Sequence, residues 1–92
     1  MKERTIDDHV ASHAKRRGVW AIKMTGISIV GFPDWILLAP AGRIAFAEDK
    51  RPGRKPEALQ RYVHRRLRRL GFLVAVLDLP EDVRDFFEEW LG

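Results

Sequence analysis

Three residues in the middle of the chain have the types and spacing needed for metal-ion chemistry. Asp34 immediately precedes an apolar run, and Glu48 and Lys50 close a second run beyond a break at residues 40–42. Because side chains alternate along a strand, Glu48 and Lys50 would project from one face while Asp49 points to the other. Neighbouring carboxylates beside an amine stabilise a sheet poorly, but they can hold a divalent cation and a water.

The two apolar runs predict a β-hairpin, with strands near 34–39 and 43–49. A turn centred on Ala41 would place Asp34 directly opposite Glu48 across the ladder, with Cβ atoms about 5 Å apart. A slip of one residue would separate the two carboxylates, so the proposed chemistry depends on this register.

Length and composition predict one small globular domain spanning residues 1–92. The chain has 92 residues, of which 46% are hydrophobic and 33% charged, and it contains no cysteine. Disulfides and thiolate metal sites are therefore excluded. No apolar run approaches the roughly 18 residues of a membrane span, and the first residues lack the apolar core of a signal peptide. We expect a cytoplasmic protein with no membrane partner.

The formal net charge is +4, and its distribution is uneven. Residues 51–70 contain eight Lys or Arg against one Glu, whereas residues 81–92 contain five acidic residues against one Arg. A polyanion would meet the first segment and avoid the second.

Hydrophobic periodicity predicts the element order α-β-β-β-α-β-α within a single α/β domain. The predicted helices cover residues 3–17 and 57–70, with a third that opens at 79–82, and strands at 19–24 and 72–77 join the hairpin. The last helix carries an apolar set that we expect to face inward: Val83, Phe86, Phe87, Trp90 and Leu91.

The ordered motifs resemble those of a known family. Gly31-Phe32-Pro33-Asp34 followed by Glu48-Asp49-Lys50 resembles the PD-(D/E)xK signature of restriction-endonuclease-like nucleases, and more closely the virus-type replication–repair nuclease family, VRR-Nuc. Each motif alone is weak, but the whole set occurs in order at matching spacings. Further matching features are Glu3 with Ile6, Lys23, Gln60, and the pattern from Leu70 to Val74.

The resemblance covers essentially the whole chain and implies a fold, an activity and a cofactor. The fold would be a restriction-endonuclease-like α-β-β-β-α-β core with a C-terminal helix, in which helices flank a mixed sheet. The activity would be that of a DNA endonuclease dependent on Mg²⁺ or Mn²⁺, selective for branched or Holliday-junction DNA. We also expect a homodimer, because two cuts in a junction need two sites related by a two-fold axis.

The resemblance also assigns roles to individual residues. Asp34, Glu48, Glu3 and the backbone carbonyl of Asp49 would hold the metal. Lys50 would orient or help to deprotonate the attacking water, and Gln60 would contact the scissile phosphate or a site water. The expected DNA contacts are Lys23, Arg54, Lys55, Arg61 and Arg65.

Asp49 departs from the family pattern, which usually has an apolar residue at this position. We expect its side chain to lie opposite Glu48 and Lys50, partly exposed and paired with water or an arginine, and to be dispensable for chemistry. Only its backbone carbonyl would serve the metal.

Each assignment has a simpler competitor. Asp34 could be a turn residue, and Glu48 with Lys50 an exposed ion pair of negligible stability. The arginines could form a solvated helix face, on which Arg66 lies away from Arg61, Arg65 and Arg69. The three histidines lack ligand spacing, so we assign them to surface or packing, and the three tryptophans to the core.

Two other functions compete with a nuclease. One is a nucleic-acid-binding module that keeps the fold without turnover. The other is an assembly domain that uses the apolar last helix, which is also the surface we expect for the homodimer.

Overall fold

The computed structural model describes residues 4–24, 29–50 and 57–92, and it confirms the expected element order. The elements are α1 (Ile6–Arg16), β1 (Trp20–Lys23), β2 (Trp35–Ala39), a short turn of 3-10 helix (Pro40–Gly42), β3 (Arg43–Asp49), α2 (Glu57–Arg69), β4 (Leu73–Leu77) and α3 (Pro80–Leu91). Thr5 caps α1: its hydroxyl accepts from the Asp8 backbone, and the Asp8 carboxylate accepts from the Thr5 backbone. Such a reciprocal box satisfies two backbone donors of the first turn.

The four strands form one mixed sheet in the order β1-β2-β3-β4. The first three strands are antiparallel, and β4 runs parallel to β3 after the α2 crossover. Trp35 pairs with Ala47 and Ala39 with Arg43, so the expected hairpin register is confirmed. Ala41 at the turn centre has a φ of 66°. The positive φ closes a tight turn between strands of right-handed twist.

Helices cover both faces of the sheet, and each face has its own core cluster. The face that carries Trp35, Leu37 and Ala45 packs against α1 and α3. The opposite face carries Phe46 and packs against α2 through Val63 and Leu67. We call these the α1/α3 face and the α2 face. Glu48 shares the α2 face with Phe46 because side chains alternate along β3.

The structure contradicts the expected dimer surface on the last helix. Phe86 and Phe87 are buried, and Trp90 and Leu91 are partly buried against the same core cluster. Phe87 also stacks on His13 of α1, at 5.8 Å between ring centroids. The apolar side of α3 is therefore buried within the domain, because it packs against α1 as well as against the sheet.

The assignment of all three tryptophans to the core is also wrong for one of them. Trp35 is buried, but Trp20 is 69% exposed at the start of β1. Trp20 pairs with Leu38, which places it on the α2 face at the edge of the sheet. The single helix α2 packs over the β3 and β4 side of this face and leaves the β1 edge uncovered.

Across the described ranges, none of the helices is both long enough and apolar enough to span a bilayer.

Candidate active site

The hairpin brings Asp34 to the end of β3. Asp34 stands one residue before β2, so extending the observed register by one position sets it opposite Glu48. Its Oδ2 accepts a hydrogen bond of 2.8 Å from the backbone N–H of Asp49. This bond fixes the carboxylate beside the strand end. Because the N–H and C=O of one strand residue point to the same neighbour, the Asp49 carbonyl is also directed towards Asp34.

Glu48 lies deep on the α2 face, with only 2% of its surface exposed. Lys50 shares that face by alternation and is exposed at the strand end. Its backbone N–H donates 2.8 Å to the Leu77 carbonyl, so β4 holds the chain straight at this point. The arrangement therefore places a buried carboxylate, a second carboxylate and an exposed ammonium at one end of the hairpin.

Helix α2 adds residues to the same site. Gln60 is half-buried, and His64, one turn later on the same helix side, is 5% exposed. The Nε2 atom of His64 lies 3.7 Å from Oε1 of Glu48. The sequence interpretation had assigned His64 to packing. Its spacing from Gln60, together with Val63 and Leu67 on the inward stripe, is the signal that could have placed it at the site.

Gly31 sets the distance between the loop before Asp34 and α2. It has a φ of +87°, and a Cβ built on it would lie 2.7 Å from the backbone C and O of Leu59. Glycine is therefore required for two reasons, the positive φ and the close approach of two backbones. The contact holds the start of α2, and Gln60 with it, against the segment that carries Asp34.

Comparisons with known proteins show which proteins this chain is similar to. The chain is 38% identical over 78 residues to "Putative nuclease p44" of Acyrthosiphon pisum secondary endosymbiont phage 1, covering 85% of this chain and 84% of the relative. A solved structure described as "VRR_NUC domain" superposes with a TM-score of 0.80 at 26% identity, covering 92% of both chains. The chain belongs to the VRR-Nuc family. No family model matches the sequence.

The VRR-Nuc assignment confirms the expected fold and makes the protein a nuclease by family. The α-β-β-β-α-β core, the mixed sheet and the helices on both faces match the superposed domain. Nothing in either comparison states which metal, nucleic acid or oligomer is involved.

The side chain of Asp49 is the main departure from the expected VRR-Nuc site. It is 5% exposed on the α1/α3 face, not partly exposed as expected. There it is hydrogen-bonded to Asp7 of α1, which also accepts from Trp35 Nε1 at 3.1 Å and pairs with the Lys23 ammonium. The expectation failed because α1 covers the end of β3 and supplies a polar partner from its first turn.

The two aspartates of this cluster have divergent acidities. Burial raises the pKa of Asp49 to about 7, and the hydrogen bond and negative charge of Asp7 act in the same direction. Burial alone would raise the pKa of Asp7, but hydrogen bonds with Asp49, Lys23 and Trp35 outweigh it and lower the pKa to about 2. Asp49 therefore tends to keep its proton and donate it to the Asp7 carboxylate.

Lys23 is engaged away from Glu48. Its ammonium pairs with Asp7 and lies 5.0 Å from the centroid of the Trp35 ring, on the α1/α3 face. A DNA contact by Lys23 would require this ion pair to open, so we assign it to holding α1 against the sheet. Glu3, Arg54 and Lys55 fall outside the described residues.

Most arginines of α2 lie on the side of the helix turned away from the sheet, whereas Arg68 donates a hydrogen bond of 2.9 Å to the Val74 carbonyl of β4. Arg61 and Arg65 are exposed, and Arg65 lines a hollow of about 310 Å³ together with Tyr62, Arg66 and Arg69. The placement of Arg66 apart from the other arginines was therefore wrong. Residues 62, 65, 66 and 69 are spaced by three or four, so they converge on one helix surface.

The donors at the hairpin end fit a hard divalent cation. Asp34, Glu48 and the Asp49 carbonyl supply oxygen atoms only, which Mg²⁺ and Mn²⁺ prefer. Within the ranges that the structure describes, no group of three or more His, Cys, Asp or Glu side chains is placed to hold a metal ion. Two carboxylates with a backbone carbonyl are compatible with that result, and Glu3, the expected third carboxylate, is not among the described residues.

Proposed function

We propose that this VRR-Nuc protein is a metal-dependent DNA endonuclease that hydrolyses phosphodiester bonds with Mg²⁺ or Mn²⁺. The observation that carries the proposal is the hairpin register. It sets Asp34 opposite the buried Glu48 and ties Oδ2 of Asp34 to the Asp49 backbone. Glu48 is 2% exposed, and its carboxylate supplies the oxygen ligands that a hard divalent cation prefers.

Each residue of the site has a separate role in the proposed hydrolysis. Asp34, Glu48 and the Asp49 carbonyl would hold the cation, with Glu3 as a further ligand. A cation held there would supply polarisation of the phosphate and a lowered pKa of a bound water. Lys50, exposed at the end of β3, would orient the attacking water. Gln60, one helical turn before His64, would contact the phosphate.

Nucleic-acid binding is assigned to the exposed arginines of α2. Arg65, Arg66 and Arg69 line one hollow with Tyr62, and none of the three forms a salt bridge to another described residue. Like charges at helical spacing repel one another in the free protein, so a phosphate in the hollow would relieve that repulsion. Arg61 would continue this contact towards the site.

The preferred substrate in this proposal is branched or Holliday-junction DNA, cut by a homodimer. A single 92-residue domain with one site makes one cut, whereas symmetric resolution of a junction requires two sites. With α3 buried, a partly exposed apolar row remains across β1, β2 and β3, formed by Trp20, Leu38 and Ile44. We call it the edge row, and we assign the dimer contact to it.

The second candidate is a nucleic-acid-binding module that has lost turnover. The basic hollow on α2 would serve this function equally well. The intact set of Asp34, Glu48 and Lys50 favours the enzyme, because binding alone does not require two carboxylates next to the DNA. The assembly-domain alternative loses its basis, since the apolar side of α3 is buried.

Cleavage assays on two variants test the proposal. Supercoiled plasmid and a synthetic four-way junction are incubated with Mg²⁺, Mn²⁺ or EDTA. We expect the wild type to cut in either metal and not in EDTA. Glu48→Gln should lose at least 100-fold in rate, since a metal ligand is removed at constant shape. Glu89→Gln, an exposed glutamate of α3, is the matched control and should cut normally.

Circular dichroism and a salt-dependent gel shift complete this experiment. Folded Glu48→Gln that binds DNA without cutting it supports the assignment of Glu48. Wild-type protein that binds DNA but never cuts would favour the binding module. Full activity of Glu48→Gln would remove Glu48 from the site.

A further inference from the structure

We infer that His64 is a positioning residue for Glu48, and that its Nε2–H holds one carboxylate oxygen so that the other is presented to the cation. The inference rests on the proposed role of Glu48 as a metal ligand. It concerns a residue that the family motif does not include, and it assigns His64 no direct contact with metal or phosphate.

The first support is the environment of the imidazole. His64 is 5% exposed, and Val63 and Leu67 beside it belong to the buried cluster of the α2 face. Its Nε2 atom has no hydrogen-bond partner among the residues that the structure describes. A buried polar nitrogen without a partner costs free energy, so an apolar residue would pack there at lower cost. We therefore attribute the histidine at this position to a hydrogen bond that its Nε2 atom forms.

The second support is the direction of that nitrogen. Nε2 of His64 faces Oε1 of Glu48 at 3.7 Å, and both side chains are almost completely buried. This separation exceeds a hydrogen bond, which spans about 2.7–3.2 Å between nitrogen and oxygen. A movement of about 0.5 Å towards each other would bring the two atoms within hydrogen-bond distance. An imidazole that carries a proton on Nε2 can then donate it to the carboxylate.

The third support is the position of the pair relative to Asp34. Asp34 approaches the end of β3 from the β2 side, whereas His64 approaches Glu48 from α2, above the same face. A donor on one Glu48 oxygen from α2 would fix the direction in which the carboxylate faces a cation held with Asp34. Outer partners of this kind orient metal-ligating carboxylates, and their loss commonly weakens metal affinity about 10- to 100-fold.

Metal binding, read separately from catalysis, tests the inference. Mn²⁺ affinity of the metal-free protein is measured by calorimetry and by the loss of the free Mn²⁺ signal in electron paramagnetic resonance. The series is wild type, His64→Leu, His64→Met, His64→Gln and, as control, His9→Leu on α1. Unfolding by urea in EDTA shows which variants are folded before metal is added.

We expect His64→Leu and His64→Met to bind Mn²⁺ about 10- to 100-fold more weakly than the wild type. His64→Gln, whose amide can donate to the same oxygen, should recover most of the affinity, and His9→Leu should bind normally. The His64→Met chain is flexible enough to fill the space if His64→Leu does not fold.

Four results would overturn the inference. Wild-type affinity in a folded apolar variant would show that Glu48 needs no partner. A folded His64→Gln as weak as His64→Leu would show that donation is not what matters. Nitrogen coupling to bound Mn²⁺ that disappears in His64→Gln would make His64 a ligand instead. Wild-type protein that binds no Mn²⁺ would refute this inference together with the metal dependence proposed above.

Discussion

Asp49 joins the two faces of the sheet through two different groups. Its backbone N–H holds Asp34, on the side of the proposed metal site. Its side chain is hydrogen-bonded to Asp7 of α1, on the opposite face. The Asp49 side chain thus forms a polar connection between α1 and the strand that carries Glu48. The hydrogen bond between Asp49 and Asp7 requires that Asp49 keeps its carboxyl proton.

That proton makes stability depend on pH. Burial and Asp7 raise the folded-state pKa of Asp49 from 3.8 to about 7, so folding favours its protonated form. The contribution of protonated Asp49 to the free energy of unfolding is complete at low pH and is lost as pH rises towards 7. The free energy of unfolding should fall by up to about 1.4 kcal/mol per pH unit between pH 5 and 7. Asp7, with its lowered pKa, titrates below this window.

We predict that Asp49→Asn flattens this dependence. An asparagine amide donates to Asp7 at every pH, so the variant should be more stable than the wild type at pH 8 and similar at pH 5. Urea unfolding in EDTA at both pH values measures the difference. Asp85→Asn, an exposed residue of α3, is the control. If the free energy of unfolding changes equally with pH in the wild type and in Asp49→Asn, the Asp7–Asp49 proton is not shared as described.

At the scale of elements, the loop before β2 and the start of α2 are in backbone contact. Gly31 is the point of contact, and no side chain fits between it and Leu59. The glycine of the Gly-Phe-Pro-Asp motif thus acts through packing. It sets how closely Gln60 and His64 approach the strands that carry Asp34 and Glu48.

We predict that Gly31→Ala costs more than a positive φ alone explains. Gly71 is the matched control, because it has a φ of +96° but open space around its Cβ position. Both alanine variants should pay about 1–2 kcal/mol for the left-handed backbone. Gly31→Ala should lose a further 1–3 kcal/mol, roughly, from overpacking against α2.

Thermal and urea unfolding measure the two stabilities, and the junction assay measures cleavage. Gly31→Ala should reduce cleavage under conditions where both variants are fully folded, since α2 is displaced. Equal losses of stability in the two variants would show that the loop can move away from α2 without cost.

At the scale of the whole molecule, charge is divided between two helices. The exposed side of α2 carries the arginine hollow, whereas α3 exposes Glu81, Asp85, Glu88 and Glu89. We predict that DNA binds at the arginine hollow of α2. Replacing Arg65 and Arg69 together by Gln should weaken binding and lower the slope of log affinity against log salt by about 2, one for each lost phosphate contact.

The double variant Lys15→Gln and Arg16→Gln on α1 is the control with the same change in net charge. Binding is measured in EDTA between about 50 and 200 mM salt. If both double variants change the slope equally, the hollow on α2 has no special part in binding.

The edge row predicts how two copies meet. Trp20 is 69% exposed on β1, which is an edge strand of the described sheet, and it lies beside Leu38 and Ile44. Two copies of one edge can pair about a two-fold axis, because such a contact is self-complementary. We expect a dimer by light scattering at micromolar concentration and a monomer for Trp20→Lys. Leu70→Lys, with the same 69% exposure at the end of α2, should remain a dimer.

A monomeric wild type, with and without DNA, would contradict the homodimer itself. A Trp20→Lys variant that still dimerises would leave the homodimer in place but remove the edge row from it.

The hairpin and its register were predictable from the sequence because their geometry is local. Two apolar runs around a short turn permit few registers, and strict alternation then determines which side chains share a face. Asp34 and Glu48 could therefore be placed opposite each other, and the observed register agrees. The element order followed for a similar reason, since the periodicity of each segment is a property of that segment alone.

The contacts between elements were decided only by the tertiary structure. Periodicity indicates which side of a helix is apolar, but not which strands that side covers or where the cover ends. Hence Trp20 is exposed beyond the edge of α2, while Phe86 and Phe87 are buried under α1. Asp49 is hydrogen-bonded to Asp7, and Glu48 lies 3.7 Å from His64, each on a helix distant in sequence. The partner of a buried polar side chain is the group that packs against it. Only the packing of the whole chain determines which group that is.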